Sequence, residues 1–107
     1  MAYKVLGQVS PTVATQTTLY TVPTGLSTVV STVTACNVGI TTTIRIAVQP
    51  GAAALANQHY IVYDALLNQY ETLFLTIGLT LTATDIVTVY TGTASSIVAF
   101  NIYGSES

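Results

Sequence analysis

The sequence predicts an all-β fold: a single-domain antiparallel β-sandwich or jelly roll of seven to eight short strands. Runs rich in threonine, valine and isoleucine alternate in polarity with a period of two residues, which is typical of strands that bury one face. Turn-forming residues separate these runs at intervals of about 8–12 residues, and no segment has a sustained helical pattern. At 107 residues the chain has the length of one domain, spanning 1–107.

The first half of the chain is predicted to hold four strands. They are expected at Tyr3–Val9, Thr17–Val22, Leu26–Cys36 and Thr42–Val48. The first of them, at a sheet edge, extends in this prediction over residues 1–10. Asn37-Val38-Gly39 supplies residues that tolerate positive φ, so the third and fourth strands are predicted to form a β-hairpin. Simple alternation places Val29 and Val33 on one face of the third strand and Val30 on the other.

The second half is predicted to hold the remaining strands. They are expected at His59–Tyr63, Tyr70–Ile77, Ile86–Thr91 and Ser96–Tyr103, with Leu79–Thr84 leading into a turn at Asp85. Residues 64–69 are expected to form a loop in which Leu66 and Leu67 plug one end of the core. Residues 104–107 are expected to be a flexible tail. Alternation predicts these inward-facing side chains: Ile44, Ile46, Val48, Val98, Phe100 and Ile102.

One segment, Gly51–Asp64 (GAAALANQHYIVYD), breaks the two-residue rhythm and contains the only histidine. Its run of helix-forming residues is too short for an independent helix, so we expect one helical turn or a loop that covers the sandwich. We expect the segment to connect the two sheets and to contact another subunit. Asn57, His59 and Tyr60 are the leading candidates for that contact.

Charged residues make up only 6% of the chain, against about 25% in ordinary soluble domains. With a formal net charge of −2, the surface has little repulsion, so we expect other subunits to cover much of it. Lys4 and Arg45 are the only cationic side chains apart from histidine, which excludes duplex nucleic acid as a partner. No apolar run approaches the roughly 20 residues of a membrane span. No secretory signal is evident, so synthesis in the cytoplasm is expected.

The residues that carry chemistry form no recognisable catalytic or metal-binding motif. The single cysteine, Cys36, excludes an internal disulfide and a thiolate metal cage. The four carboxylates are well separated, and no glycine-rich phosphate loop is present. A hydrolase triad of His59, a serine and either Asp64 or Asp85 is an alternative that lacks a nucleophile motif. We therefore expect no enzymatic activity, no metal and no cofactor.

Aromatic side chains are the remaining candidates for recognition. Tyr60, Tyr63 and Tyr70 are expected to lie near the break in alternation. Tyrosine suits protein interfaces and sugar-binding surfaces, and it also fills cores and sheet edges, so three roles stay open.

Three polar side chains are further candidates for partner contacts. Arg45, outward on its strand, is expected to pair with Glu71 or with a carboxylate of a neighbouring subunit. Lys4 and Gln8 lie on the first strand, which suits strand addition to a neighbour.

Several segments together resemble small virion structural proteins of tailed bacteriophages. These segments are AYKVLGQ, TTLYTVP, TACNVG, RIAV, ALANQHYIVYD, LTATDIVTVYT and FNIYGSE. The resemblance implies a non-enzymatic capsid cement or decoration protein, commonly a homotrimer, that is made in the bacterial host cytoplasm and binds the major capsid protein or other virion proteins. The alternative that it implies is a tail, baseplate or fibre module that binds a host receptor or glycan. It supplies no catalytic residue.

Overall fold

The computed structural model describes residues 3–76 and 78–107, which fold into nine strands and two short 3-10 helices. The strands are β1 (Lys4–Val9), β2 (Thr17–Thr21), β3 (Thr28–Asn37), β4 (Thr42–Gln49), β5 (Tyr60–Leu67), β6 (Thr72–Leu75), β7 (Leu79–Leu81), β8 (Ile86–Thr91) and β9 (Val98–Glu106). The 3-10 helices are Pro50–Ala52 and Asn57–His59. The predicted all-β sandwich is confirmed. Residues 1, 2 and 77, which belonged to predicted strands, lie outside the described residues.

The strands form two antiparallel sheets. The five-stranded sheet has the order β1-β9-β3-β6, with β7 also paired to β3, and the four-stranded sheet has the order β2-β8-β4-β5. β4 and β5 pair with each other, and the strands before them pair with the strands after them. β3 pairs with β6 and β7, β2 pairs with β8, and β1 pairs with β9. This nested pairing, wrapped into two packed sheets, is the jelly-roll arrangement.

The core lies between the sheets and is built from alternate residues of the central strands. Ile44, Ile46, Val98, Phe100 and Ile102 are at most 1% exposed, as alternation predicts. Val48 is only partly buried and packs at the margin of this core. In β3 the predicted faces are wrong, because a bulge between Val30 and Thr32 changes the alternation and places Val30 in the core with Val33.

The predicted hairpin between the third and fourth strands is wrong. β3 lies in the five-stranded sheet and β4 in the four-stranded sheet, so residues 38–41 form an arch from one sheet to the other. Asn37 explains the difference, because its side chain is buried rather than exposed at a turn. Its amide nitrogen lies within 2.8 Å of the Ile40 oxygen, 3.1 Å of the Leu67 oxygen and 3.0 Å of the Asn68 oxygen. These hydrogen bonds tie the arch to the end of β5.

Three further predictions need correction. Gly51–Asp64 does not join the two sheets, since it leads from β4 to β5 in the four-stranded sheet. The predicted loop at 64–69 is strand as far as Leu67, which is buried in the core, whereas Leu66 is exposed. Residues 104–107 are not a free tail, because β9 continues to Glu106 and Ser107 exchanges two 2.9 Å backbone hydrogen bonds with Ser27.

Candidate interaction surfaces

The sheet edges are poorly suited to pairing with another strand. Bulges interrupt the pairing of β1 at Leu6, of β2 at Leu19, and of β5 at Ile61 and again at Tyr63 and Asp64. The remaining edge strands, β6 and β7, have only four and three residues. Bulges twist an edge away from a flat partner, and short strands offer few hydrogen bonds. The described edges therefore disfavour the addition of a strand from another chain.

Lys4 belongs to a polar network that joins the two sheets at one end of the sandwich. Its Nζ lies 2.8 Å from Glu106 Oε1, while the Tyr20 hydroxyl donates to Glu106 Oε2 at 2.5 Å and lies 2.7 Å from the Thr28 Oγ1. Burial, followed by the hydrogen bond to Glu106, raises the pKa of Tyr20 to about 12. Hydrogen bonds from Lys4 and Tyr20 lower the pKa of Glu106. Tyr20 comes from β2, so this network links it to β1, β3 and β9.

Arg45 is the centre of an aromatic cluster on the outer face of the four-stranded sheet. Its Nε donates to Asp64 Oδ1 at 2.6 Å and its Nη2 to Asp64 Oδ2 at 3.3 Å. The guanidinium carbon lies 4.4 Å from the ring centre of Tyr63 and 4.6 Å from that of Tyr90. Tyr60 packs edge-on against Tyr63, with ring centres 4.8 Å apart. We call Arg45, Tyr63, Asp64 and Tyr90 the arginine cluster.

The predicted pairing of Arg45 with Glu71 is wrong, because Asp64 takes that role within the chain, and the pairing with a neighbouring subunit stays a prediction. Asp64 sits in the β5 bulge with a φ of +50°, a conformation that aspartate tolerates better than most residues. The bulge brings the carboxylate beside Arg45 across the strand pair. The hydrogen bond with Arg45 lowers the pKa of Asp64 and raises the pKa of Arg45.

The two remaining carboxylates are also engaged within the chain. Glu71 Oε1 accepts a 2.8 Å hydrogen bond from the Asn68 backbone nitrogen. Asp85 accepts from the backbone nitrogens of Gly51 at 2.8 Å and Thr82 at 2.9 Å. With the two ion pairs, all six charged side chains of the chain therefore have partners inside it.

The segment from Pro50 to His59 lies against the four-stranded sheet. Ala47 and Thr88 point to the outer face of that sheet, yet both are buried, and Leu55 lines a cleft of about 200 Å³ beside them. Thr88 Oγ1 donates to the Gln49 side chain, whose Nε2 donates to the Ala53 oxygen at 2.8 Å. The sequence predicted either one helical turn or a loop that covers the sandwich, and the second alternative is correct for this segment.

The predicted triad is not assembled. His59 is 9% exposed, and its Nδ1 accepts a 3.0 Å hydrogen bond from the Ala56 backbone nitrogen. Asp64 and Asp85 belong to the separate networks described above. His59 therefore closes a 3-10 turn, and among the described residues no carboxylate is hydrogen-bonded to its ring.

The predicted contact tyrosines are only partly brought together. Asn57, Tyr60 and Tyr63 line one shallow cleft. Tyr70, 76% exposed, lies in the turn before β6 and is not part of the arginine cluster. Gln8 is exposed on β1, opposite Asn101 of β9.

Sequence reasoning missed the outer face of the five-stranded sheet. Strand register places Gln8, Asn101, Thr34 and Phe74 in one row across four strands, and Phe74 is 68% exposed. Neighbouring rows complete a face without a charged residue. We call it the uncharged face, and its side chains are Val5, Gln8, Val29, Thr32, Thr34, Cys36, Thr72, Phe74, Thr80, Ala99, Asn101, Tyr103 and the buried Ser105. The sequence indicates this face only indirectly, because the outward positions of several separate strands carry uncharged residues.

Within residues 3–76 and 78–107, no three histidine, cysteine, aspartate or glutamate side chains are grouped so that they could hold a metal ion. The same part of the chain has no helix with the length and apolar character needed to cross a membrane. Comparison with models of protein families, with curated proteins and with solved structures found no match to this chain.

Proposed function

We propose that the chain is a non-enzymatic structural protein of a bacteriophage virion, an oligomeric cement or decoration protein that stabilises the capsid shell. One observation carries the proposal: every charged side chain is engaged inside the chain, while large apolar side chains remain exposed on both sheets. The exposed apolar side chains include Tyr3, Val5, Val29, Val38, Ile40, Ile61, Tyr63, Leu66, Tyr70, Phe74 and Ile97.

This surface chemistry favours contact with protein. The core of a protein interface is depleted in charge and enriched in aromatic residues, because burying an unpaired charge is costly. Here two ion pairs neutralise four of the six charges, and the remaining two, Glu71 and Asp85, accept hydrogen bonds from backbone nitrogens. A partner can therefore cover much of the surface without burying an unpartnered charge. A protein that binds only the assembled shell stabilises that state by mass action, and several linked copies add avidity.

The fold and the sequence resemblance support the same role. Jelly rolls occur in viral capsid and lectin domains, but one fold serves many functions, so the argument depends on the surface. The resemblance to small virion proteins supplies the particle and the expectation that the protein is an oligomer.

A second candidate function, a tail or fibre module that binds a glycan, is favoured by one observation. Tyr63 is 58% exposed and lies with Tyr60 and Asn57 along a shallow cleft. Tyrosine rings next to amide and guanidinium groups suit the apolar face and hydroxyls of a sugar.

Particles assembled with and without the chain would test the proposal. We expect the purified chain to bind particles that lack it and to raise the temperature at which their shells break open. We expect no binding on a glycan array. Failure to bind capsids would contradict the cement role, and glycan binding that is lost in Tyr63→Ala would favour the second candidate.

A further inference from the structure

We infer that the uncharged face is the contact between two copies of this chain, packed face to face about a two-fold axis. The inference rests on the proposed assembly function and names the surface that serves it.

The other surfaces are less suited to self-association. The edges of both sheets are shortened or interrupted by bulges, so a copy cannot readily add a strand. On the four-stranded sheet, the arginine cluster and the segment from Pro50 to His59 occupy the outer face. Only the five-stranded sheet presents an outer face without a covering segment or an ion pair among the described residues.

The chemistry of the uncharged face suits contact with an identical face. A two-fold contact is isologous, so the same patch must complement itself. A patch that contains charges can bring like charges together in such a contact, whereas the uncharged face has none to repel. Phe74, Val5 and Val29 supply exposed apolar surface, and Thr34 and Asn101 supply hydrogen-bonding groups between them.

The size of the face is compatible with a dimer. β1, β9 and β3 have six, nine and ten residues, and β6 and β7 add four and three along the last edge. At about 4.8 Å by 3.3 Å per residue, these strands give a face of about 500 Å². Two such faces bury about 1,000 Å² together, which is below the standard size of specific interfaces and in the range of weak, transient ones. We therefore expect a dimer that dissociates reversibly on dilution.

Analytical ultracentrifugation over a series of concentrations tests the contact. The wild-type chain, 11.2 kDa as a monomer, should approach twice that mass and dissociate on dilution. Thr34→Lys places a cation in the central row of the face and should give a monomer at every concentration. Thr43→Lys is the matched control, because Thr43 is equally half-buried on the outer face of the four-stranded sheet, and it should still dimerise. Circular dichroism checks that both variants fold.

Charge complementation provides a second measurement. Thr34→Glu should also be monomeric, and mixing it with Thr34→Lys should restore a dimer, because a two-fold axis through the centre of the face brings the two positions near each other. A wild-type monomer at all concentrations, a trimer, a dimer that survives Thr34→Lys, or a mixture that stays monomeric would overturn the inference. Binding to capsids is measured separately: a monomer that binds capsids overturns only the dimer contact, and a dimer that binds none overturns only the virion function.

Discussion

The substitution Tyr20→Phe tests whether the buried phenol joins the two sheets. It removes the hydroxyl that donates to Glu106 and contacts Thr28, and leaves the ring in the core. A hydrogen bond to a charged group contributes about 1.5–3 kcal/mol, and the buried Thr28 hydroxyl also loses its only side-chain partner among the described residues. We expect the free energy of unfolding at neutral pH to fall by about 2–4 kcal/mol.

The burial of Tyr20, together with its hydrogen bond to Glu106, predicts a dependence on pH. Because the folded-state pKa of Tyr20 is raised from 10.0 to about 12, folding favours the protonated phenol. Its contribution is therefore complete below pH 10 and is lost as the pH rises to about 12. At about 1.4 kcal/mol per pH unit, this linkage amounts to about 3 kcal/mol, and its largest cause is the cost of burying the ionised phenol. The phenylalanine variant lacks this group, so the stability difference between the two proteins should shrink over that interval.

Urea unfolding followed by far-ultraviolet circular dichroism measures both effects. Tyrosine absorbance is avoided because it changes with ionisation, and the protein concentration is held constant because self-association alters apparent stability. The other six tyrosines are common to both proteins and cancel in the difference. If the two proteins lose stability in parallel between about pH 10 and pH 12, Tyr20 does not retain its proton through the fold and the reasoning is wrong.

Four further substitutions probe the core, an exposed site, the strand contacts and the arginine cluster. Phe100→Ala should lower the free energy of unfolding by about 3–5 kcal/mol in urea titrations, whereas Phe74→Ala, at an exposed site, should change it by about 0.5 kcal/mol or less in dilute monomer. Gly104→Ala should cost about 1–3 kcal/mol or more, measured by thermal unfolding, because a Cβ there collides with the main chain of β3. Arg45→Gln should raise the pKa of Asp64 toward its ordinary value, measured by NMR titration, so less stability is lost below about pH 4; an unchanged pKa would contradict the pairing.

Much of the strand content follows from the sequence because side-chain polarity and local turn residues determine it. Thr42–Gln49 and Ile86–Thr91 agree with the predicted strands, and Phe100 and Ile102 lie in the core as alternation requires. These features depend on whether each residue meets core or solvent. Apolar residues face the core and polar residues face solvent, so the alternation of residue types within one strand predicts both features.

The arrangement of the strands was harder to predict because it depends on contacts between distant parts of the chain. A turn-forming Asn-x-Gly fits a hairpin within one sheet and an arch between two sheets equally well. The arch is set by the Asn37 side chain meeting Leu67 and Asn68, about 30 residues away along the chain. The bulges at Ser31 and Asp64 have no local sequence signature, yet they decide which valine enters the core and which carboxylate pairs with Arg45.

The break in alternation at Gly51–Asp64 illustrates the same limit for the candidate site. The subunit contact expected of this segment stays a prediction, and the structure adds a role within the chain. Ala47 and Thr88 are buried beside residues 51–59, and Asp64 pairs with Arg45 of the same chain. The segment therefore contacts side chains of its own sheet: it lies beside two buried residues and supplies the carboxylate that pairs with the arginine. Within residues 3–76 and 78–107, no equivalent segment covers the five-stranded sheet, and the outward residues of that sheet are unremarkable when each strand is considered alone. Only the register that aligns Gln8, Asn101, Thr34 and Phe74 makes them one continuous surface, so a face suited to assembly emerges from the topology and not from a motif.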